Sequence, residues 1–169
     1  MKEKWDIYNQ YRQKTNTYMY RGDTLKNGQF HLVVHVCYIN DQNQMLIQKR
    51  SSHKTWGGLW DISIGGAVQY GETSQQAAQR ESFEELGIHH QFDDIRPQVS
   101  LSFERGFDDI YVIKKNIDIK QISFKDNEAC DAKWATREEI YELIDQQLFL
   151  PIHHKAFIDF LFMIISKQS

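Results

Sequence analysis

GAVQYGETSQQAAQRESFEELGI, residues 66–88, is the stretch whose reading decides the fold of this chain. Ser74 to Leu86 reads as a helix: Thr73 with Gln76 three residues on forms a capping box, and Gly87 supplies the C-terminal stop. On that helix Glu81, Glu84 and Glu85 stand at i, i+3 and i+4, which gathers their carboxylates on one face within one turn. Like charges at this spacing repel by roughly a few tenths of a kcal/mol per pair. They also lie toward the helix C-terminus, where the macrodipole disfavours anions. Arg80 can reach only part of the cluster, and a local rule broken this plainly points to function. Three hard oxygen donors on one rigid turn suit Mg²⁺ or Mn²⁺. Gly65 and Gly66, just before the helix, let a backbone carbonyl approach such an ion closely.

Upstream, His31 to Ile39 is a dense β-branched and aromatic run that turns through NDQNQ into a second strand, Met45 to Lys49. Asp61 to Ile64 reads as a short strand ending in Gly65-Gly66. Downstream, strands fit Gln98 to Glu104, Asp109 to Lys114 and Asp131 to Ala135. Thr136 and Glu139 repeat the capping box and open a helix to about Gln146, and Ile152 to Ser166 forms the last helix. Gly106 to Asp109 (GFDD) is expected to be a tight turn, with Asp108 facing a metal as the alternative. The pairs His89-His90 and His153-His154 have no carboxylate at ligand spacing and are expected at the surface. Of Trp56, Trp60, Phe103, Phe107 and Tyr111, most are expected in the core, with one or two open to stacking on a base. Residues 1–30 are polar, with bends at 21–23 and 26–28, and read as a lead-in or hairpin before one compact domain over 31–169. Strands that dominate the middle, punctuated irregularly by helices, favour a mixed sheet with helices on its faces.

Composition narrows the function. A chain of 169 residues can bury enough surface to fold without a metal or disulfide, so any metal serves chemistry. A formal net charge of −3, without a long basic run, argues against binding a nucleic-acid polymer. A small polyanion held through a metal fits better. Cys37 and Cys130 form no CxxC pair, which points to a reduced, cytoplasmic chain. The polar start lacks the apolar core of a secretory signal. FIDFLFMII, residues 157–165, is too short to span a membrane and reads as a buried terminal helix; no membrane association is expected.

Gly66, Glu72, Arg80-Glu81, Glu84-Glu85, Gly87 and Ile88 stand at the spacings of the Nudix box. Seven fixed positions at roughly one in twenty each coincide by chance on the order of once in 10⁹ starts. The chain thus resembles the Nudix hydrolases, which implies an α/β/α sandwich around a mixed sheet and hydrolysis of a small diphosphate, such as a nucleoside diphosphate derivative. By that resemblance Glu81, Glu84 and Glu85 with the Gly65 carbonyl hold metal, and Arg80 pairs with Glu72 to brace the loop. The general base is Glu81 or a glutamate outside the box. One departure is Ser82, where the family usually carries a larger aliphatic residue facing the sheet.

The flanking stretch from Phe30 to Gly66, and DNEAC at 126–130, resemble the isopentenyl-diphosphate isomerase branch of this superfamily. That likeness makes Asp126 a candidate metal ligand, Glu128 a candidate proton-transfer residue, and Arg50 and Lys54 candidate diphosphate contacts. The isomerase reaction itself is disfavoured, because its essential cysteine falls at Gly65 and a histidine ligand at Ala67; of its other two histidines only His31 has a counterpart. An isomerase and a non-catalytic nucleotide sensor remain as alternatives, and the chain is expected as a monomer or a homodimer.

Overall fold

The computed structural model describes residues 2–125 and 127–166. Its frame is a central strand, β3 (His31–Ile39), whose alternating side chains feed two separate cores. Val34, Val36 and Tyr38 point to one face, Cys37 and Ile39 to the other, as the two-residue period of a strand buried on both sides requires. Before it, β1 (Lys4–Tyr8) and β2 (Lys14–Tyr20) form an antiparallel hairpin of their own. After it come β4 (Met45–Arg50), β5 (Trp60–Asp61), β6 (Ile64–Ala67), α1 (Ser74–Leu86), β7 (Val99–Phe103), β8 (Gly106–Lys114), β9 (Ala129–Ala135), α2 (Arg137–Asp145) and α3 (Lys155–Ser166).

The sheet is mixed. β8 lies parallel to β3 along its whole length, from His31 opposite Gly106 to Ile39 opposite Lys114. A parallel neighbour needs a crossover, and the segment carrying α1 makes it. On the other side β3 meets β4 only at the hairpin end, Ile39 opposite Met45. The two then diverge: β6 pairs antiparallel with the first half of β3, while β5 and β9 pair with β4. α1 covers one face through Ala77, Ala78 and Leu86; α2 and α3 cover the other through Ile140, Ile158, Leu161, Phe162 and Ile165. Ile158, Leu161, Phe162 and Ile165 recur at helical spacing, so the 157–165 run is an amphipathic helix on the sheet. No described helix is long and apolar enough to cross a membrane. The result is an α/β/α sandwich around a mixed sheet.

Three local expectations change. The Asp61–Ile64 strand is two pieces that pair with different neighbours, β5 with β4 and β6 with β3, because the sheet splits there. GFDD is not a turn: it opens β8, and the chain reverses at Glu104-Arg105 instead. His153 is buried, 5% exposed, not at the surface; its Nε2 lies 2.9 Å from Asp61 Oδ1 and its ring stacks on Phe157. Its carboxylate partner lies 92 residues away, beyond the reach of local spacing. His89 and His154 are exposed, His90 half-buried.

Candidate active site

α1 begins and ends as its residues dictate. Thr73 accepts from the Gln76 amide while the Gln76 side chain accepts from the Thr73 amide, and Gly87 closes the helix at φ 68°. So fixed, the helix presents Ala77, Ala78, Ser82, Glu85 and Leu86 to the sheet. Ser82 is accommodated there because its hydroxyl accepts from the Tyr38 hydroxyl at 3.0 Å, filling with a hydrogen bond the place of an aliphatic side chain.

Arg80 organises the acids. Its guanidinium forks onto Glu72 at 2.7 and 2.9 Å, and Glu72 in turn accepts from the Gln69 amide. Its remaining donors reach Glu81 at 2.7 Å, Glu84 at 3.0 Å and the Ala67 carbonyl at 3.1 Å. Helix, loop and β6 are thereby tied through one side chain. Burial pushes Glu72 up, but Arg80 and the Gln69 amide hold its carboxyl below the ordinary value.

Glu81 and Glu85 both shift the other way from Glu72. Burial lifts Glu81 to about 7, opposed by Arg80 and reinforced by Glu84 and Glu128. Glu85 is 2% exposed, and burial raises it well above its ordinary value, with the Glu81 charge adding to the shift. Its Oε2 accepts from Gln48 Nε2 at 2.5 Å, while the buried Gln48 carbonyl oxygen has no hydrogen-bond partner among the described residues. Opposite the helix lies bare backbone: a Cβ at Gly66 would overlap the Glu81 carboxylate, and one at Gly65 would stand 2.7 Å from the His35 ring.

A cleft of about 330 Å³ opens here, bounded by His35, Gly65, Gly66, Glu81, Glu84 and Glu128, with Trp5 and Arg21 of the hairpin on its rim. A larger groove, about 930 Å³, runs along the outer side of α1 past Glu72, Gln79, Phe83 and His89; it shares Arg80 with the smaller cleft but has neither Glu81 nor Glu84 in its lining. Glu81 and Glu84 line the smaller cleft, together with Glu128.

The remaining sequence candidates distribute unevenly. Glu128 reaches the cleft and is ion-paired to Lys54, which is not itself among the described residues lining it. Arg50 does not line the cleft: it donates to the Thr55 carbonyl at 3.1 Å and to Asp61 at 3.1 Å. Asp126 lies outside the described residues. Phe107 and Tyr111 are in the core, whereas Trp56 and Phe103 are exposed. His35, Asp61 and Gln48 were not legible as site residues, and Asp108 was so only as the alternative to a turn, because each reaches its partner across strands rather than along one. Among the described residues no three His, Cys, Asp or Glu side chains converge as a ready-made cation cage. The reason is visible, since the Arg80 guanidinium bridges Glu81 and Glu84.

Mixed sheet, acidic helix and glycine strand together form the frame of a pyrophosphohydrolase class of enzymes. A family model described as "NUDIX domain" matches residues 29–159. An uncharacterized Nudix hydrolase of Listeria monocytogenes is 42% identical over 150 residues, 88% of this chain and 89% of that protein. The crystal structure of DR0079 from Deinococcus radiodurans superimposes with a TM-score of 0.71 at 28% identity, over 87% of this chain and 91% of that one. An isopentenyl-diphosphate Delta-isomerase of Salmonella heidelberg is 39% identical over 70 residues, 41% of this chain and 38% of that protein. The chain belongs to the Nudix hydrolase family.

Proposed function

We propose that this enzyme hydrolyses the diphosphate linkage of a nucleoside diphosphate derivative or a related small diphosphate, with Mg²⁺ or Mn²⁺ as its cofactor. The observation that carries this reading is the set of carboxylates on one turn of α1, Glu85 buried and Glu81 largely so, both raised by burial with the Glu81 charge adding to the shift of Glu85, and Glu81 seated against a strand whose Gly66 leaves room for it. Hard oxygens crowded this way, beside the orphaned Gln48 oxygen, suit a divalent cation, which would remove the repulsion that burial imposes. Glu81, Glu84 and Glu85 with the Gly65 carbonyl would hold it, and Asp126 is a further candidate ligand. When bound, such an ion neutralises the diphosphate and makes a water acidic enough to attack phosphorus.

The chain's own groups do the rest. Arg80 keeps its fork on Glu72 and exchanges its contacts to Glu81 and Glu84, so the loop stays braced while the acids change partners. Glu128, poised at the cleft beside Lys54, accepts a proton; Lys54 adds positive charge behind Glu128, and Arg50, held by Asp61 outside the cleft lining, adds its charge at longer range. Isomerisation finds no support: position 65 has no side chain, and the space one would take is occupied by His35. The test is a screen of sugar, dinucleotide and isoprenoid diphosphates with added metal, read by product mass. Release of phosphate-containing products, abolished by Glu84→Gln or Glu85→Gln, is the expected result; activity indifferent to both substitutions defeats the assignment.

A further inference from the structure

His35 has no part in the reading above, yet it stands in the same cleft as Glu81 and Glu84. It lies on β3 directly opposite Gly65 on β6, so the two positions share a face of the sheet. The imidazole leans over Gly65: a Cβ there would lie 2.7 Å from its Cδ2 and 2.8 Å from its Nε2. The other ring nitrogen is held from the neighbouring strand, Nδ1 lying 2.9 and 2.8 Å from the two oxygens of Asp108 on β8. A carboxylate gripping Nδ1 fixes both the plane of the ring and the nitrogen that carries the proton there, leaving Nε2 as the group turned to a ligand. Both side chains are mostly sequestered, 19% and 17% exposed, so the arrangement is built into the sheet rather than draped over it. Three strands thus spend their register on aiming one nitrogen past one glycine.

We propose that His35 is a substrate-contacting residue of this cleft, its Nε2 hydrogen-bonding the diphosphate, with Asp108 as its positioning residue and Gly65 lacking a side chain so that the imidazole can stand there. The inference rests on the cleft being a diphosphate site, and the experiment separates the two. Mn²⁺ uptake is followed by electron paramagnetic resonance, and binding of methylenediphosphonate, a non-hydrolysable diphosphate, to the Mn²⁺-loaded full chain by calorimetry. His35→Asn keeps a group for Asp108 but has none at Nε2, and it should weaken the diphosphate about tenfold or more while Mn²⁺ affinity stays as in the wild type. His35→Gln, whose amide extends to the Nε2 position, should lose distinctly less. Gly65→Ala leaves His35 in the chain but displaces its ring, and should weaken the diphosphate as His35→Asn does, measured at Mn²⁺ saturating for that variant because the Gly65 carbonyl is itself a proposed ligand; it also serves if the histidine variants melt early. Asp108→Asn should fall between. Diphosphate binding to both His35→Asn and Gly65→Ala as to the wild type overturns the inference alone, as does equal loss in His35→Asn and His35→Gln. A wild-type chain that takes up no Mn²⁺ or no diphosphate overturns the functional reading and this inference with it.

Discussion

Replacing Glu81 by Gln should make the metal-free protein more stable above neutral pH, although it should abolish activity. Only 13% of the Glu81 side chain is exposed, and burial lifts its pKa from 4.5 to about 7. A carboxyl raised in this way keeps its proton in the folded chain at a pH where the unfolded chain has lost it. Its contribution is therefore most favourable below about 4.5 and declines as the pH climbs through 7. At about 1.4 kcal/mol per tenfold change in proton affinity, the penalty reaches roughly 3 kcal/mol by pH 8. Gln keeps the shape and removes the charge, and Arg80 is not stranded because its fork on Glu72 remains. For a domain of this size that is on the order of 6–12 °C in melting temperature. Thermal unfolding in EDTA, wild type against Glu81→Gln, should show a small gap at pH 5 and the full gap at pH 8. Saturating Mg²⁺ should stabilise the wild type more at pH 8 than at pH 5. A gap independent of pH, or a Glu81→Gln protein less stable than wild type at pH 8, would refute the reasoning.

Three further outcomes are expected. Gly66→Ala drives a Cβ into the Glu81 carboxylate and should cut turnover of any diphosphate the wild type cleaves by about 10²-fold, measured as kcat/KM; near-wild-type turnover would show that the Glu81 position is not critical. Ser82→Ala and Tyr38→Phe each strand one partner of a buried hydroxyl pair, and each should cost about 1–2 kcal/mol in urea unfolding; the double variant should cost less than the two together, and strict additivity would deny the bond. Burial pushes Asp61 up, but the His153 hydrogen bond and charge, with His35 and Arg50, hold it below its ordinary value. The stability this gives is present above the ordinary carboxyl range and is lost as the pH falls through the depressed value. His153→Ala should therefore move the acid-unfolding midpoint, followed by tryptophan fluorescence, to higher pH; an unmoved midpoint would separate His153 from that protection.

The helix at the centre of the site was legible residue by residue because everything that specifies it is local. Thr73 and Gln76 cap it, Gly87 stops it, and the 3.6-residue period places Glu81, Glu84 and Glu85 together, so Ser74–Leu86 coincides with the sequence reading at both ends. The β3 boundaries, His31 and Ile39, coincide as well, since a run of β-branched and aromatic side chains has few other uses. GFDD misled because two aspartates after a glycine satisfy turn chemistry equally well, and only the parallel partner β3 makes the segment a strand. His153 misled for the same reason at longer range, its partner Asp61 being supplied by a different layer of the fold.

By itself the order of residues determined the acidic helix, the glycines ahead of it and the family whose signature they carry, because short-range spacing on a regular helix is a matter of geometry alone. Tertiary structure decided what stands around that helix: the splitting of the sheet between β3 and β4, the burial that lifts Glu81 and Glu85 while Arg80 spans the acids, and the meeting of His35, Asp108 and Gly65 from three strands. Those depend on desolvation and on strand register, both of which exist only once distant segments have been brought into contact.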